Sequence, residues 1–213
     1  MKRTLIAVLL ILCTALCCGC GAPNAAELVQ GSLDLAYRNQ YTEAYLKAAG
    51  LTAEEAQQLY DNGIEAELAV FAGYFDVDLT RCSREAAEEF RAFCRDVYGS
   101  AKYEVGKPAK TDDGYTVALT VYPVDILQKF REGSLGKLMA DWRARYDKGE
   151  FDTMDKTQYE DLWIRTLLSA LKDVQPGYPE GESVTVTLTR DSDGVTVISP
   201  EDLAKIDSLI IAY

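Results

Sequence analysis

From residue 24 to about residue 97, apolar side chains recur every three or four positions, which is the period of an amphipathic helix. Capping patterns at Asn24, Thr52 and Ser83 each precede such a stretch, and a shorter helical stretch runs from Tyr41 to Ala49. The spacing is helical on both sides of Asn62-Gly63, so we predict that this pair lies within a helix and not in a hairpin turn. This part of the chain is therefore predicted to be helical.

After residue 101 the pattern changes to strict alternation, which predicts β-strands with one buried face. Two hairpins are expected, each with an Asp-Gly pair in its turn. The first comprises residues 102–107 and 115–121 around the turn 111–114, and the second comprises residues 184–188 and 195–198 around the turn 191–194.

A helical insertion from about Val124 to Val174, with breaks at Gly133 and Gly149, separates the two hairpins. Ser199-Pro200 then begins a last helix, because Ser is a favourable N-cap and Pro a favourable first helical residue. These elements predict an α+β fold, in which N-terminal helices pack on an antiparallel sheet of about four strands, with the insertion between the hairpins and a C-terminal helix. Residues 25–213 are predicted to form one domain.

The order of these elements resembles the cone-shaped α+β folds of NTF2-like and cystatin-like proteins, in which helices pack on a curved sheet. The closing stretch, an alternating strand, an Asp-Gly turn, a short strand and a helix, looks like the end of many small uncharacterised lipoproteins of Gram-positive bacteria. The resemblance implies a sheet whose concave face could hold a small ligand.

The composition narrows the possible functions. The 213 residues include 22 Lys and Arg against 34 Asp and Glu, a formal net charge of −12, which argues against nucleic acid as a partner because phosphate binding needs clustered basic side chains. The chain has no histidine, which removes the usual general base, the commonest metal ligand and every Ser/His or Cys/His nucleophile pair. We expect no cofactor, no metal site and no catalytic residues.

The first twenty residues have the features of an export signal. Lys2 and Arg3 precede an apolar run that is too short to span a bilayer and has the length of a secretory signal core. The run ends in Leu16-Cys17-Cys18-Gly19-Cys20, which resembles the lipobox of bacterial lipoproteins. In that family the Cys, here Cys20, receives diacylglycerol and becomes the mature N-terminus.

The resemblance implies that residues 1–19 are removed and that residues 20–24 form a short lipidated tether. Cys18 is the weaker alternative for the lipidated residue, and an ordinary signal peptide or an uncleaved anchor are further alternatives. The expected location is the extracytoplasmic face of the cell membrane, with an acyl anchor such as palmitate. Cleavage removes Lys2 and Arg3, which leaves 20 basic and 34 acidic side chains and a net charge of −14. We expect such an acidic domain to stand off an anionic lipid surface.

Cys82 and Cys94 are the cysteines of the predicted domain, beyond the lipidated Cys20. Because Ser83 is predicted to begin a helix, about twelve helical residues and about 18 Å separate them. A disulfide needs Cα atoms about 4.4–6.8 Å apart, so both thiols are expected to be free.

Several acidic motifs are better explained as turns than as sites. Asp191-x-Asp193-Gly194 begins like a calcium loop but lacks the later ligands, and Asp76-Val77-Asp78 has nothing nearby to complete a site. The aromatic residues of the insertion are more informative. Trp142 and Tyr146 lie four residues apart on one predicted helical face, and arginines flank them, so they are our candidate binding residues, with a core position for both left open.

We therefore expect a lipid-anchored extracytoplasmic lipoprotein with a non-catalytic binding domain, whose partner is an envelope protein or another envelope component. The alternative is a small ligand held in the concave face of an NTF2-like cone, which would need a mostly apolar pocket. A hydrolase that uses only carboxylates is the third possibility and would need two facing Asp or Glu side chains in a cleft.

Overall fold

The structure is a computed structural model that describes residues 13–14, 24–190 and 196–213. It confirms the predicted α+β class, because helices precede an antiparallel sheet and a further helix follows it. In chain order the elements are β1 (Cys13–Thr14), α1 (Ala25–Arg38), α2 (Glu43–Ala49), α3 (Ala53–Tyr74), α4 (Arg84–Gly99), β2 (Lys102–Lys110), β3 (Gly114–Tyr122), α5 (Ile126–Gly133), α6 (Leu135–Asp147), α7 (Lys156–Lys172), β4 (Glu182–Arg190), β5 (Thr196–Ile198) and α8 (Pro200–Ile210).

Three N-terminal helices begin at the predicted capping residues. The Asn24 side chain accepts hydrogen bonds from the N–H groups of Ala26 and Glu27, at 3.0 and 3.1 Å, and the Glu27 carboxylate accepts one from the Asn24 N–H at 3.0 Å. Thr52 makes the same reciprocal capping box at the start of α3, and the Ser83 hydroxyl caps α4. These bonds satisfy amide groups that a helix start leaves without partners.

Two glycines inside helices have opposite surroundings. Gly63 lies within α3, as predicted, and a Cβ atom on it would have no neighbour within 4 Å. Gly31 lies where α1 packs against α2, and a Cβ atom there would stand 2.2 Å from Cδ2 of Tyr45. The two helices approach this closely because residue 31 has no side chain.

The sheet is antiparallel, with the strand order β1-β5-β4-β3-β2. Val117 of β3 stands opposite Val186 of β4, and Leu119 stands opposite Val184. These four side chains are at most 2% exposed, and they belong to the core that the sheet shares with α1 and α8. Side chains therefore fill the space between these helices and the centre of the sheet.

The outer strand β2 is irregular. Its pairing with β3 shifts register between Val105 and Pro108. Lys102, Lys107 and Lys110 of this strand are exposed. Within the described part of the chain, β2 has β3 on one side and no strand on the other.

The helical insertion has its breaks where the sequence predicts them. α5 ends at Gly133, and Gly149 follows α6 with a positive φ of 73°. α8 begins at Pro200, as predicted, but the Ser199 side chain makes no capping bond. Instead Asp202, in the first turn of α8, accepts a hydrogen bond from the Thr187 N–H at 2.7 Å and ties the helix to β4.

Among the described residues, the buried apolar core extends from Ala25 to Ile211. Of the described elements, β1, which pairs with β5, is the one that lies in the predicted signal peptide, and the described core begins after residue 20. The other residues of that peptide, Cys20 and the predicted turn 191–194 lie outside the described residues. No helix in the described ranges is both long enough and apolar enough to cross a bilayer.

Candidate functional site

The two candidate binding residues of α6 have different environments. Trp142 is only 8% exposed, and its indole N–H donates a hydrogen bond of 2.9 Å to the Tyr159 hydroxyl. Its ring centroid lies 4.7 Å from that of Phe151 and 5.0 Å from that of Trp163. Tyr146 is 64% exposed. Trp142 is therefore a packing residue, and Tyr146 alone of the pair presents its ring to solvent.

Arg145 covers the solvent side of this aromatic cluster. Its guanidinium carbon lies 5.2 Å from the Trp142 ring centroid and 5.1 Å from the Phe151 ring centroid. The Glu150 carboxylate accepts a hydrogen bond of 2.9 Å from Arg145 Nε and so orients the guanidinium. The contacts are of the cation–π type and stabilise the α6–α7 connection.

The connection between α3 and α4 is fixed on α7. The Glu160 carboxylate accepts a hydrogen bond from the Asp78 N–H, and the Asp161 carboxylate accepts one from the Ser83 N–H, both at 2.7 Å. The Trp163 indole N–H donates to the Phe75 carbonyl at 3.2 Å. Charged and aromatic side chains of α7 therefore hold the connection between α3 and α4 against this helix.

α4 and α7 run parallel to each other. Asp161 contacts Ser83, and further along both helices Arg165 Nε lies 3.3 Å from the Glu89 carboxylate, so the residue numbers rise together. Between the two helices is an open groove of about 450 Å³. Its lining residues are Glu89, Ala92, Phe93, Asp96, Arg165, Leu168, Ser169 and Lys172.

The groove has an apolar floor and charged rims. Phe93 is half-buried, and its ring lies 6.1 Å from that of Phe71 in the core, while Leu168 is 8% exposed. Seven residues beyond the Glu89–Arg165 ion pair on each helix, Asp96 and Lys172 are exposed. Among the described residues neither of these two side chains has an ion pair or a hydrogen bond. The groove is thus closed by an ion pair at one end and flanked by two free opposite charges at the other.

Apart from the groove, two acids and two tyrosines, Glu67, Asp207, Tyr37 and Tyr98, form an acid–tyrosine cluster between α1, α3, α4 and α8. The Tyr98 hydroxyl donates a short hydrogen bond to the Glu67 carboxylate, and the Tyr37 hydroxyl donates one of 3.3 Å to Asp207. The rings of Tyr37 and Tyr98 stack with their centroids 6.1 Å apart, so the two acid–tyrosine pairs are neighbours. Tyr213, near the end of the chain, faces the same cluster.

Burial, and then the negative charge of Asp207, raise the pKa of Glu67 to about 7. Burial also raises the pKa of Asp207, although the bond from Tyr37 opposes the shift. The pKa of Tyr98 is raised well above its usual range by burial and by the Glu67 charge. The two carboxyl groups therefore titrate together, and near neutral pH the cluster holds a proton that exposed carboxylates would have lost.

The remaining candidate groups make internal contacts. Cys82 and Cys94 are free thiols, as predicted, and burial raises the pKa of the Cys94 thiol. Asp78 accepts hydrogen bonds from the N–H and the hydroxyl of Thr80, at 3.0 and 2.6 Å, and pairs with Arg81. In the described ranges no three His, Cys, Asp or Glu side chains are arranged to hold a metal ion.

The sequence did not predict the groove or the acid–tyrosine cluster. The groove does have a sequence signal, since its residues on α4 and on α7 have the spacing i, i+3, i+4, i+7, which places them on one face of each helix. Glu67 lies beside the apolar stripe of Ile64, Leu68 and Phe71, but nothing in the sequence indicates that Asp207 would lie beside it.

The structure thus defines an α+β protein with an open amphipathic groove between two parallel helices. Its fold is similar to that in the crystal structure of a putative lipoprotein, ycdA, from Bacillus subtilis subsp. subtilis str. 168, with a TM-score of 0.62 and 12% sequence identity. The match covers 91% of this chain and 57% of that chain, so this chain spans little more than half of the Bacillus protein. No protein-family model matches the sequence, and the comparison with curated proteins gives no match.

Proposed function

We propose that this protein is a lipoprotein, anchored through Cys20 to the extracytoplasmic face of the cell membrane, and that its folded part binds a ligand or partner without catalysis. The lipobox-like segment Leu16–Cys20 after a basic and apolar leader carries the proposal. The fold that the chain shares with the Bacillus putative lipoprotein supports it. So does the start of α1 at Ala25, which leaves only a short tether after Cys20.

Metabolic labelling with radioactive palmitate tests the anchor. We expect the full chain to incorporate label and to fractionate with membranes, and Cys20→Ser to lose both properties. Cys18→Ser is the matched control, because it alters the neighbouring cysteine, and it should keep the label. Loss of label in Cys18→Ser alone would move the lipidated residue to Cys18, and an unlabelled wild-type chain would contradict the lipoprotein proposal.

The groove between α4 and α7 supports binding as the role of the folded part. Its volume of about 450 Å³ lies within the range of ligand sites, and its mixture of an apolar floor and a few charged groups is typical of them. The centre of the sheet is less suited to a ligand, because Val117, Leu119, Val184 and Val186 fill its helix-facing side. We therefore propose the groove, and not the concave face of the sheet, as the site of a small ligand.

The exposed face of α6 is a second candidate surface, one that suits a protein partner. Met139 is 48% exposed and Tyr146 is 64% exposed, and Arg143 lies between them at helical spacing. Met, Tyr and Arg are enriched at the centres of protein interfaces. Residues 126–148 carry six basic and three acidic side chains, whereas the whole chain carries 22 and 34, so an acidic partner fits this face.

Thermal unfolding of residues 20–213 with Cys20→Ser, against a panel of wall glycans, peptides, amino acids, lipids and divalent cations, tests the binding role. A ligand at 100 times its Kd adds about 2.7 kcal/mol of stability. We expect at least one class to raise the midpoint. If no class does so, the next test is cross-linking in cells, with a cross-linking group at position 146 to capture a protein partner. Failure of both tests would contradict a binding role.

A further inference from the structure

We propose that the groove between α4 and α7 binds a small zwitterion with an apolar side chain, the chemistry of a free apolar amino acid or a short apolar peptide. The ammonium group of the ligand pairs with the Asp96 carboxylate, and its carboxylate pairs with the Lys172 ammonium group. This inference rests on the proposed binding function and names the class of ligand for it.

Equal spacing along the two helices places the two charges at corresponding positions on opposite rims. On α4 Asp96 is seven residues after Glu89, and on α7 Lys172 is seven residues after Arg165. Because Glu89 and Arg165 form an ion pair and the helices are parallel, the helical rise places Asp96 and Lys172 about 10.5 Å further along the groove, one on each helix. The first pair has closed to 3.3 Å, whereas Asp96 and Lys172, both described residues, form no ion pair with each other.

The floor between these two pairs supplies the apolar contact. Phe93 and Leu168 lie between the charged positions, and both pack against the core, so the floor is fixed by side chains that belong to the fold. Ala92 and Ser169 are small and leave the space above it open. A ligand that spans the rims with its charged groups thus places its side chain on Phe93 and Leu168.

The charge pattern distinguishes this ligand class from others. An anion alone would pair with Lys172 and leave Asp96 without a partner. A cation alone would pair with Asp96 and leave Lys172 without a partner. A neutral apolar molecule would cover Phe93 but would leave both rims without partners. A zwitterion satisfies Asp96 and Lys172 together, and charge-assisted hydrogen bonds are about twice as strong as neutral ones.

The test is calorimetric titration of residues 20–213 carrying Cys20→Ser, with three probes: L-leucine, L-leucyl-L-leucine and N-acetyl-L-leucine amide. The last has the same apolar side chain but no charge. We expect leucine, the dipeptide or both to bind at least tenfold more tightly than the neutral amide. The stronger of the two zwitterions tells whether the site takes free amino acids or peptides. Equal binding of all three, or no binding of either zwitterion at millimolar concentration, would overturn the proposal.

Variants then locate the site. Asp96→Asn and Lys172→Gln should each weaken zwitterion binding at least tenfold, and the control Lys156→Gln, at the opposite exposed end of α7, should leave it unchanged. Ala92→Trp fills the groove without removing a charge and should abolish binding, and the Asp96 variant serves if that chain does not fold. Zwitterion binding that survives Asp96→Asn and Lys172→Gln would overturn the assignment.

These outcomes separate the inference from the proposed function. If both zwitterions are silent while another class of the panel raises the unfolding midpoint, the binding function stands and the ligand assigned here is wrong. If the entire panel and the cross-linking experiment are silent, the binding function itself fails.

Discussion

Replacement of Glu67 by Gln should remove most of the pH dependence of this protein's stability near neutrality. Glu67 lies in the acid–tyrosine cluster, where it accepts a hydrogen bond from Tyr98 and has the carboxyl group of Asp207 nearby. The glutamine amide oxygen can still accept the Tyr98 hydrogen bond. The variant therefore removes the ionisable group and keeps its shape and its main contact.

The magnitude follows from the shift in pKa. In the folded chain the pKa of Glu67 is raised from its ordinary value of 4.5 to about 7. The folded state thus keeps a proton that the unfolded state releases, so the stabilisation is fully present below pH 4.5 and is lost as the pH rises to about 7. Each unit of pKa difference corresponds to about 1.4 kcal/mol, which gives a loss of about 3 kcal/mol across this window.

The assay is urea unfolding of residues 20–213 with Cys20→Ser at a series of pH values from 4.5 to 8. We expect the free energy of unfolding of the protein that retains Glu67 to fall by about 3 kcal/mol over this range. The free energy of unfolding of the Glu67→Gln variant should change much less. Glu54→Gln, an exposed position of the same helix, is the matched control and should retain the full dependence. Parallel pH profiles for the Glu67 variant and its parent would refute the reasoning.

A second variant tests the coupling between the two acids. Asp207→Asn removes the negative charge that, after burial, most raises the pKa of Glu67. The loss of stability should still begin near pH 4.5, the ordinary pKa that holds in the unfolded chain, but it should end at a lower pH, so the window should be narrower. An unchanged window would show that Asp207 does not influence Glu67.

Three further results are expected from the packing. Gly31→Ala should destabilise the fold although alanine favours helices, because its methyl group would overlap the Tyr45 ring. Gly63→Ala has open space around it and should stabilise the fold by about 1 kcal/mol in urea unfolding. Trp142→Phe should cost about 1–3 kcal/mol, since it removes a buried hydrogen bond and part of a packed ring. In mass-spectrometric thiol labelling, half-buried Cys82 should react in the native protein, and buried Cys94 should react only after unfolding.

Local signals in the sequence were sufficient to predict most of the secondary structure. The capping boxes at Asn24 and Thr52 each join residues within three positions of one another. The helix breaks at Gly133 and Gly149 likewise depend on residues that are close together in the sequence. Such short-range hydrogen bonds and backbone preferences depend little on the remainder of the chain. The helix through Gly63 was predictable for the same reason, because the apolar period on both sides outweighs one glycine.

The candidate site was not predictable because it depends on contacts between distant residues. Glu89 and Arg165 are 76 positions apart in sequence, and Asp207 is 140 positions from Glu67. The burial of Trp142 was also not predictable from local spacing. Its spacing to Tyr146 placed both on one face of α6, but only the positions of Phe151 and Trp163 in space show that the indole is covered.

The irregular outer strand β2 also opposes pairing between the sheets of neighbouring copies of this protein. An unpaired strand edge is a template for adding a strand from another molecule, which is how many sheet proteins aggregate. Here Pro108 lacks an amide proton, the register shift after Val105 interrupts the edge, and Lys102, Lys107 and Lys110 would bring like charges together. The sheet can therefore stay exposed along β2 without continuing from one molecule into the next.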